Sequence, residues 1–145
     1  MLIKTLATFY PLIASILSML ISQLIKTIFM LRSNKKIKLS ALTRSGGMPS
    51  SHSAMITSIS LSIGLKDGFD SSYFFLSVIL CFIVIYDARG IRHTVGKHAK
   101  ILNQTVLASN PKKTNEFIGH NLIEIMVGIL IGTIISIGMY HLINF

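Results

Sequence analysis

The chain has no tryptophan, one cysteine, only five acidic residues and little charge of either sign, 13% of its 145 residues being Asp, Glu, Lys or Arg. A single cysteine, Cys81, excludes an internal disulfide. Its place in the apolar run 78–85 reads as a small core or lipid-facing residue, silent about redox compartment. No Cys/His cluster with ligand spacing occurs, so no metal and no other cofactor is expected. Internal repeats and low-complexity tracts are missing as well, and the length suits one domain, residues 1–145. With so few acids, fourteen Lys and Arg leave a net charge of +9. That balance suits nucleic acid, but no aromatic residues interleave with the basic loops and no known module is present, so nucleic acid is not expected as a partner.

What the chain does have is apolar surface: 51% hydrophobic residues and a mean hydropathy of +0.66, the composition of an integral membrane protein. Four segments suit a bilayer: residues 6–31 (one charge, Lys26), 50–65 (short, rich in Ser and Thr), 71–86, and 122–140 (one charge, Glu124). A spanning helix needs about 20 apolar residues; the first and last meet this, and the middle two are short. Asp67-Gly68-Phe69-Asp70 reads as a tight turn that makes those two an antiparallel pair. The first segment is too long for a signal peptide and no small-x-small site follows it, so it is expected to be retained.

Arg32, Lys35, Lys36, Lys38 and Arg44 follow the first span; Arg89, Arg92, Lys97, Lys100, Lys112 and Lys113 follow the third; the opposite side has Lys4 and Lys66. The positive-inside rule puts both basic loops in the cytoplasm and both termini on the other side. After the third span, Ile91, Val95, Ala99, Leu102 and Val106 recur at helical spacing, with Arg89, His93, Lys97 and Lys100 on another face. This predicts an amphipathic helix at the cytoplasmic interface, ended by Asn110-Pro111. The fold class is therefore an all-α membrane protein of about four transmembrane helices plus one interfacial helix.

Residues 45–53, Ser-Gly-Gly-Met-Pro-Ser-Ser-His-Ser, put a glycine pair, hydroxyls and an imidazole at the start of an uncharged helix-like run. Proline favours a first helical turn and serine caps it, which makes an oxyanion site. The topology brings Lys26, Ser50, Ser51, His52, Asp87, Arg89, Arg92, His120 and Glu124 to one depth on the cytoplasmic side. His120 and Glu124, four apart, share a helix face that continues through Gly128, Gly132 and Ser136. The carboxylate then holds one ring nitrogen and leaves the other free as nucleophile or base; alternatively Glu124 pairs with Lys26 or an Arg for assembly alone. Lys26 has two readings, snorkelling to the headgroups or turning inward onto phosphate. Arg89 and Arg92, three apart, either fork onto phosphate oxygens or face lipid headgroups. His93, His98 and His141 have no persuasive partners.

Gly-Gly-Met-Pro-Ser-Ser-His-Ser-Ala at 46–54, Tyr-Asp-Ala-Arg-Gly-Ile-Arg at 86–92 and Gly-His-x-x-x-Glu at 119–124 resemble, over nearly the whole chain, the divergent branch of the type 2 phosphatidic acid phosphatases (PAP2). The wider superfamily includes lipid phosphate phosphatases, bacterial acid phosphatases and vanadium haloperoxidases. The resemblance implies a PAP2-like helical bundle with Lys26 binding phosphate, His52 as the acid, His120 as the nucleophile and Glu124 in place of an aspartate partner. Gly46, Gly47 and Asp87 would support the site. Ser51 replaces the glycine of the Pro-Ser-Gly-His motif, Lys26 and Arg32 lie six apart with no proline following, and Thr114 stands where a Ser-Arg pair would precede His120 by six residues. Arg89 or Arg92 is then left to supply a guanidinium. The implied activity is hydrolysis of a lipid phosphate monoester or pyrophosphate through a phosphohistidine, with membrane lipid as partner and substrate. Two other functions stay open: a non-catalytic binder of anionic headgroups, and a small anion or lipid transporter, for which so few spans would require a homo-oligomer.

Overall fold

A computed structural model describes residues 2–32, 46–111, 113–116 and 118–143. Lys35, Lys36, Lys38, Arg44, Ser45 and Lys112 of the expected basic loops lie outside the described residues. All regular structure among the described residues is helical: α1 (Leu2–Arg32), α2 (Ser51–Asp67), α3 (Ser72–Arg89), α4 (Ile91–Gln104) and α5 (Leu122–Ile143).

Three stretches are long and apolar enough to cross a membrane: Ala7–Phe29, Ser72–Gln104 and Leu122–Ile143. α2 has 17 residues, about 26 Å at 1.5 Å per residue, and is not among them. Its place explains its composition. α2 packs on α1, α3 and α5, so its surface meets protein, and Ser51, Ser53, Ala54, Ser58, Ser60, Ser62 and Gly64 are buried there. Small side chains let neighbouring helices approach closely. Each neighbour answers in kind. α1 turns Tyr10, Ala14, Ser18, Ser22 and Lys26, four apart, into the core, while α5 buries Ile125, Gly128, Gly132 and Ser136. A Cβ on Gly128 would overlap the Ser50 carbonyl, and one on Gly132 the Ala54 carbonyl.

Hydroxyls in this interior need partners, since an unpaired polar group out of water is costly. Ser62 and Ser136 share a hydrogen bond of 2.8 Å, and the Tyr10 hydroxyl donates to the Ser136 carbonyl at 2.8 Å. Ser60 donates to the Ser77 carbonyl at 3.0 Å and ties α2 to α3. The large apolar side chains point the other way: Leu20 and Leu24 of α1, Phe75, Ile79 and Phe82 of α3, and Met126, Leu130 and Ile134 of α5 are exposed. This is the inverse of a water-soluble bundle and suits a lipid surround.

The expected turn between α2 and α3 is present, with Gly68 at φ 94° and its amide on the Gly64 carbonyl. One expectation is corrected. The interfacial helix ends at Gln104, not Asn110, because the Leu107 amide reaches back to the Leu102 carbonyl and closes a wider turn. Its protein-facing side carries Gly96, Ala99 and Asn103, all buried, while Ile91, Val95 and Leu102 of the apolar stripe are exposed. The reason is the chain after α4, which folds back on it. A Cβ on Gly96 would lie 2.6 Å from the Ile118 carbonyl oxygen. Asn103 donates to the Thr114 carbonyl and to Glu116 Oε1, both at 2.8 Å. Glycine, alanine and asparagine form the face that main chain can lie against, which leaves the apolar stripe outward, as a membrane-surface helix requires.

Candidate active site at the start of the central helix

Three helix ends meet beside Lys26: the starts of α2 and α5 and the end of α3. Ser50 caps α2, its Oγ accepting from the Ser53 amide at 3.3 Å and from the Ser53 hydroxyl at 2.9 Å. The amides of Ser51 and His52 belong to the same first turn and have no carbonyl available inside the helix. The Ser50 amide donates to the Glu124 carbonyl at 3.0 Å and joins this turn to the start of α5. The His120 amide donates to the Ala88 carbonyl at 3.0 Å and joins the same place to the end of α3. Gly119 at φ 89° makes this junction, because a Cβ there would overlap the backbone of Arg92 and His93.

His120 precedes α5 instead of lying on it, a correction to the shared helix face, yet the expected pair forms: His120 Nδ1 lies 2.8 Å from Glu124 Oε2. His120 is 3% exposed, and its Nε2 is buried with no hydrogen-bond partner among the described residues. Burial pushes the imidazole pKa down and the Glu124 carboxylate opposes that shift, with Lys26 and Arg92 adding to the depression. A neutral ring whose Nδ1–H donates to Glu124 keeps a lone pair on Nε2.

Glu124 has a second task that spacing alone left unread. Asn121 Oδ1 accepts from the Glu124 amide at 2.9 Å, while the Glu124 carboxylate accepts from the Asn121 amide and side chain, each at 3.3 Å. This is a reciprocal cap at the start of α5, and Asn-x-x-Glu was its signal in the sequence. Glu124 is therefore held from two sides before it orients His120. Asn121→Ala is expected to cost about 1 kcal/mol of stability, measured by unfolding in detergent, with Asn121→Ser restoring most of it; an unchanged midpoint would show the cap to be idle.

Lys26 does not snorkel. It is 3% exposed, its charge acts on both histidines, and a Cβ on Gly47 would touch its Cδ at 3.9 Å. Gly47 adopts φ 98°, and Gly46 is buried beside it. One turn earlier on α1, Gln23 Oε1 accepts from the Ser51 hydroxyl at 2.8 Å; this polar residue three before Lys26 was the missed sign of an inward-facing stripe. Arg92 pairs with Asp87 through Nε and Oδ2. Arg92, His120, Lys26 and Asp87 are all near enough to act on the charge of His52, whose own side chain is exposed. Arg89 is exposed and has no hydrogen-bond or ion-pair partner among the described residues; the structure brings Arg92 to the cluster and leaves Arg89 outside. No group of three or more His, Cys, Asp or Glu side chains able to hold a metal occurs among the described residues.

The arrangement offers a buried, oriented imidazole, a second and open imidazole, an ammonium, a guanidinium and a capped helix N-terminus. Together these favour an anion with several oxygens. The family model described as the divergent PAP2 family matches residues 8–135. A Bacillus subtilis (strain 168) protein named "Uncharacterized membrane protein YuiD" is 34% identical over 149 aligned residues, covering 91% of this chain and 94% of its own length. No solved structure matches.

Proposed function

Since the chain belongs to the divergent PAP2 family, we propose that it is a phosphatase that hydrolyses a lipid phosphate at the membrane interface with histidine as nucleophile and no metal. The observation that carries this reading is His120 Nε2, buried and unpartnered while Nδ1 is held by Glu124. Nε2 attacks phosphorus, the bond from phosphorus to the ester oxygen breaks, and His52 protonates the departing alkoxide. Water then attacks the phosphohistidine, His52 accepts its proton, and inorganic phosphate leaves with His120 restored. Lys26, Arg92 and the first-turn amides of α2 hold the charge that develops on the phosphoryl oxygens. An acid that stays open to the surroundings suits a leaving group whose tail remains in the bilayer. The charge distribution supports a site on the cytoplasmic face.

The test is phosphate release by purified protein from a panel of lipid phosphates, with and without chelator. His52→Ala is expected to lose about 100-fold or more on a lipid phosphate, and much less on an aryl phosphate, whose leaving group needs no proton. A second reading, headgroup binding without catalysis, is favoured by one observation. Thr114, at the place of the missing Ser-Arg pair, bonds to Asn103 Oδ1 at 2.9 Å and to the Ala99 carbonyl at 3.3 Å and so serves α4. Stoichiometric lipid binding with no release across the panel would select it.

A further inference from the structure

The end of the bundle away from Lys26 holds a cavity of about 270 Å³ between the start of α1 and the ends of α2 and α5. Ala7, Thr8, Tyr10, Lys66 and Tyr140 are among its walls. From Ser51 to Lys66 α2 rises about 22 Å, so this cavity and the phosphate site face opposite surfaces of a bilayer.

α1 carries Pro11 inside its helical run. Proline has no N–H, so the Ala7 carbonyl four residues earlier loses its helical donor, and Ala7 is a wall residue. Within a membrane a carbonyl freed in this way needs a donor from elsewhere. Lys66 serves the neighbouring carbonyl instead: its ammonium donates to Thr8 at 3.0 Å and keeps further N–H groups to give. Asp67 lies 4.0 Å from the same ammonium and balances its charge, so the cavity has no net charge with which to select a simple anion. It offers an acceptor that wants a donor and a donor that wants an acceptor, in one small space.

Tyr10 and Tyr140 add the aromatic part, with ring centroids 6.0 Å apart. The Tyr10 hydroxyl is engaged by Ser136, so this residue gives its ring, whereas the Tyr140 hydroxyl has no hydrogen-bond partner among the described residues. Aromatic rings attract an ammonium, and tyrosine is enriched where a membrane meets water. Phe9, Leu12 and Leu142, near these walls in the chain, are exposed and suit acyl chains lying alongside.

We propose that this cavity binds the headgroup of a zwitterionic phospholipid that carries a primary ammonium, in the leaflet opposite the phosphate site. The ammonium donates to the Ala7 carbonyl and lies against Tyr10 and Tyr140, while Lys66 donates to the phosphodiester. A quaternary ammonium would fit less well, having no N–H for the carbonyl. Binding here does not depend on the phosphatase reading.

Calorimetry on the purified full chain in detergent compares dihexanoyl phosphatidylethanolamine, phosphatidylcholine and phosphatidylglycerol. All three are phosphodiesters, which leaves no monoester for the other site to hydrolyse. The ethanolamine lipid is expected to bind about tenfold tighter than either of the others, as one charge-assisted contact would give. Pro11→Ala returns an amide to the Ala7 carbonyl and favours the helix. It should unfold no more easily than the parent and yet lose the preference over phosphatidylcholine. Lys66→Gln should weaken the ethanolamine and choline lipids alike, by about tenfold, because both present the same phosphate to it. Lys97→Gln, at the other end of the bundle, should change neither. Equal binding of the ethanolamine and choline lipids by the parent, tighter phosphatidylglycerol, no binding of any of the three, indifference to Lys66→Gln, or a preference that survives Pro11→Ala would overturn the proposal. So would glycerophosphoethanolamine binding as tightly as the lipid, which would assign the cavity to a soluble ligand.

Discussion

His120→Ala is expected to lower phosphate release by about 10⁴-fold or more, a loss of the size seen when an enzyme's nucleophile or base is removed. The parent protein, quenched during turnover, is expected to carry an acid-labile, base-stable phosphoryl group that the variant lacks. The side chain is buried at 3% exposure, and its Nε2 has no partner to lose. Alanine removes the hydrogen bond to Glu124 and leaves the Asn121–Glu124 cap in place, so the helical content measured by circular dichroism should stay close to that of the parent. The pH profile provides a further check. The nucleophile must be neutral, and burial holds the His120 pKa below its ordinary 6.5, so the acid limb of kcat/KM should have its midpoint below pH 6.5. Because Glu124 opposes that depression, Glu124→Gln should move the limb lower still while reducing the rate. A variant with full activity, or an acid limb above the ordinary histidine value, would remove His120 from the chemistry.

Gly132→Val is expected to give the largest structural effect, about 3 kcal/mol or more of destabilisation. A Cβ at Gly132 would overlap the Ala54 carbonyl of the central helix, and backbone cannot move aside as a side-chain tip can. Separating α5 from α2 would also strain the hydrogen bond from the Ser50 amide to the Glu124 carbonyl, which holds the two halves of the site together. Stability and activity should therefore fall together. Gly138 supplies the control on the same helix: a Cβ there meets nothing within 4 Å, and Gly138→Val should unfold at nearly the parent midpoint. Equal behaviour of the two variants in a denaturant titration would mean that α5 does not pack on α2 through its glycines.

Some of the site could be read directly from spacing. His120 and Glu124 meet because four residues make one turn, whether or not the first of them has entered the helix. The cap at Ser50 follows from Pro-Ser-Ser-His at the edge of an uncharged run. Asn121-x-x-Glu124 was readable in the same way, but a glutamate beside a histidine draws attention to chemistry before capping. Other features depended on contacts between distant segments. Arg89 and Arg92 are equivalent by composition and spacing; Arg92 joins the cluster because the helix breaks at Gly90 and Asp87 holds the guanidinium on the inner side. The protein-facing side of α4 was not legible in the sequence because its partner is main chain, which selects glycine and alanine over the apolar stripe.

The sequence by itself determined an all-helical membrane protein, the helical segments, the helix-cap chemistry and the histidine–carboxylate pair, since each follows from composition or from repeats within one turn. Tertiary structure alone decided that the serine-rich α2 is the centre of the bundle and that Lys26 turns inward beside Gly47. These depend on which helix lies against which. Close approach is set by the smallest side chains on both partners at once, and no single segment carries that information.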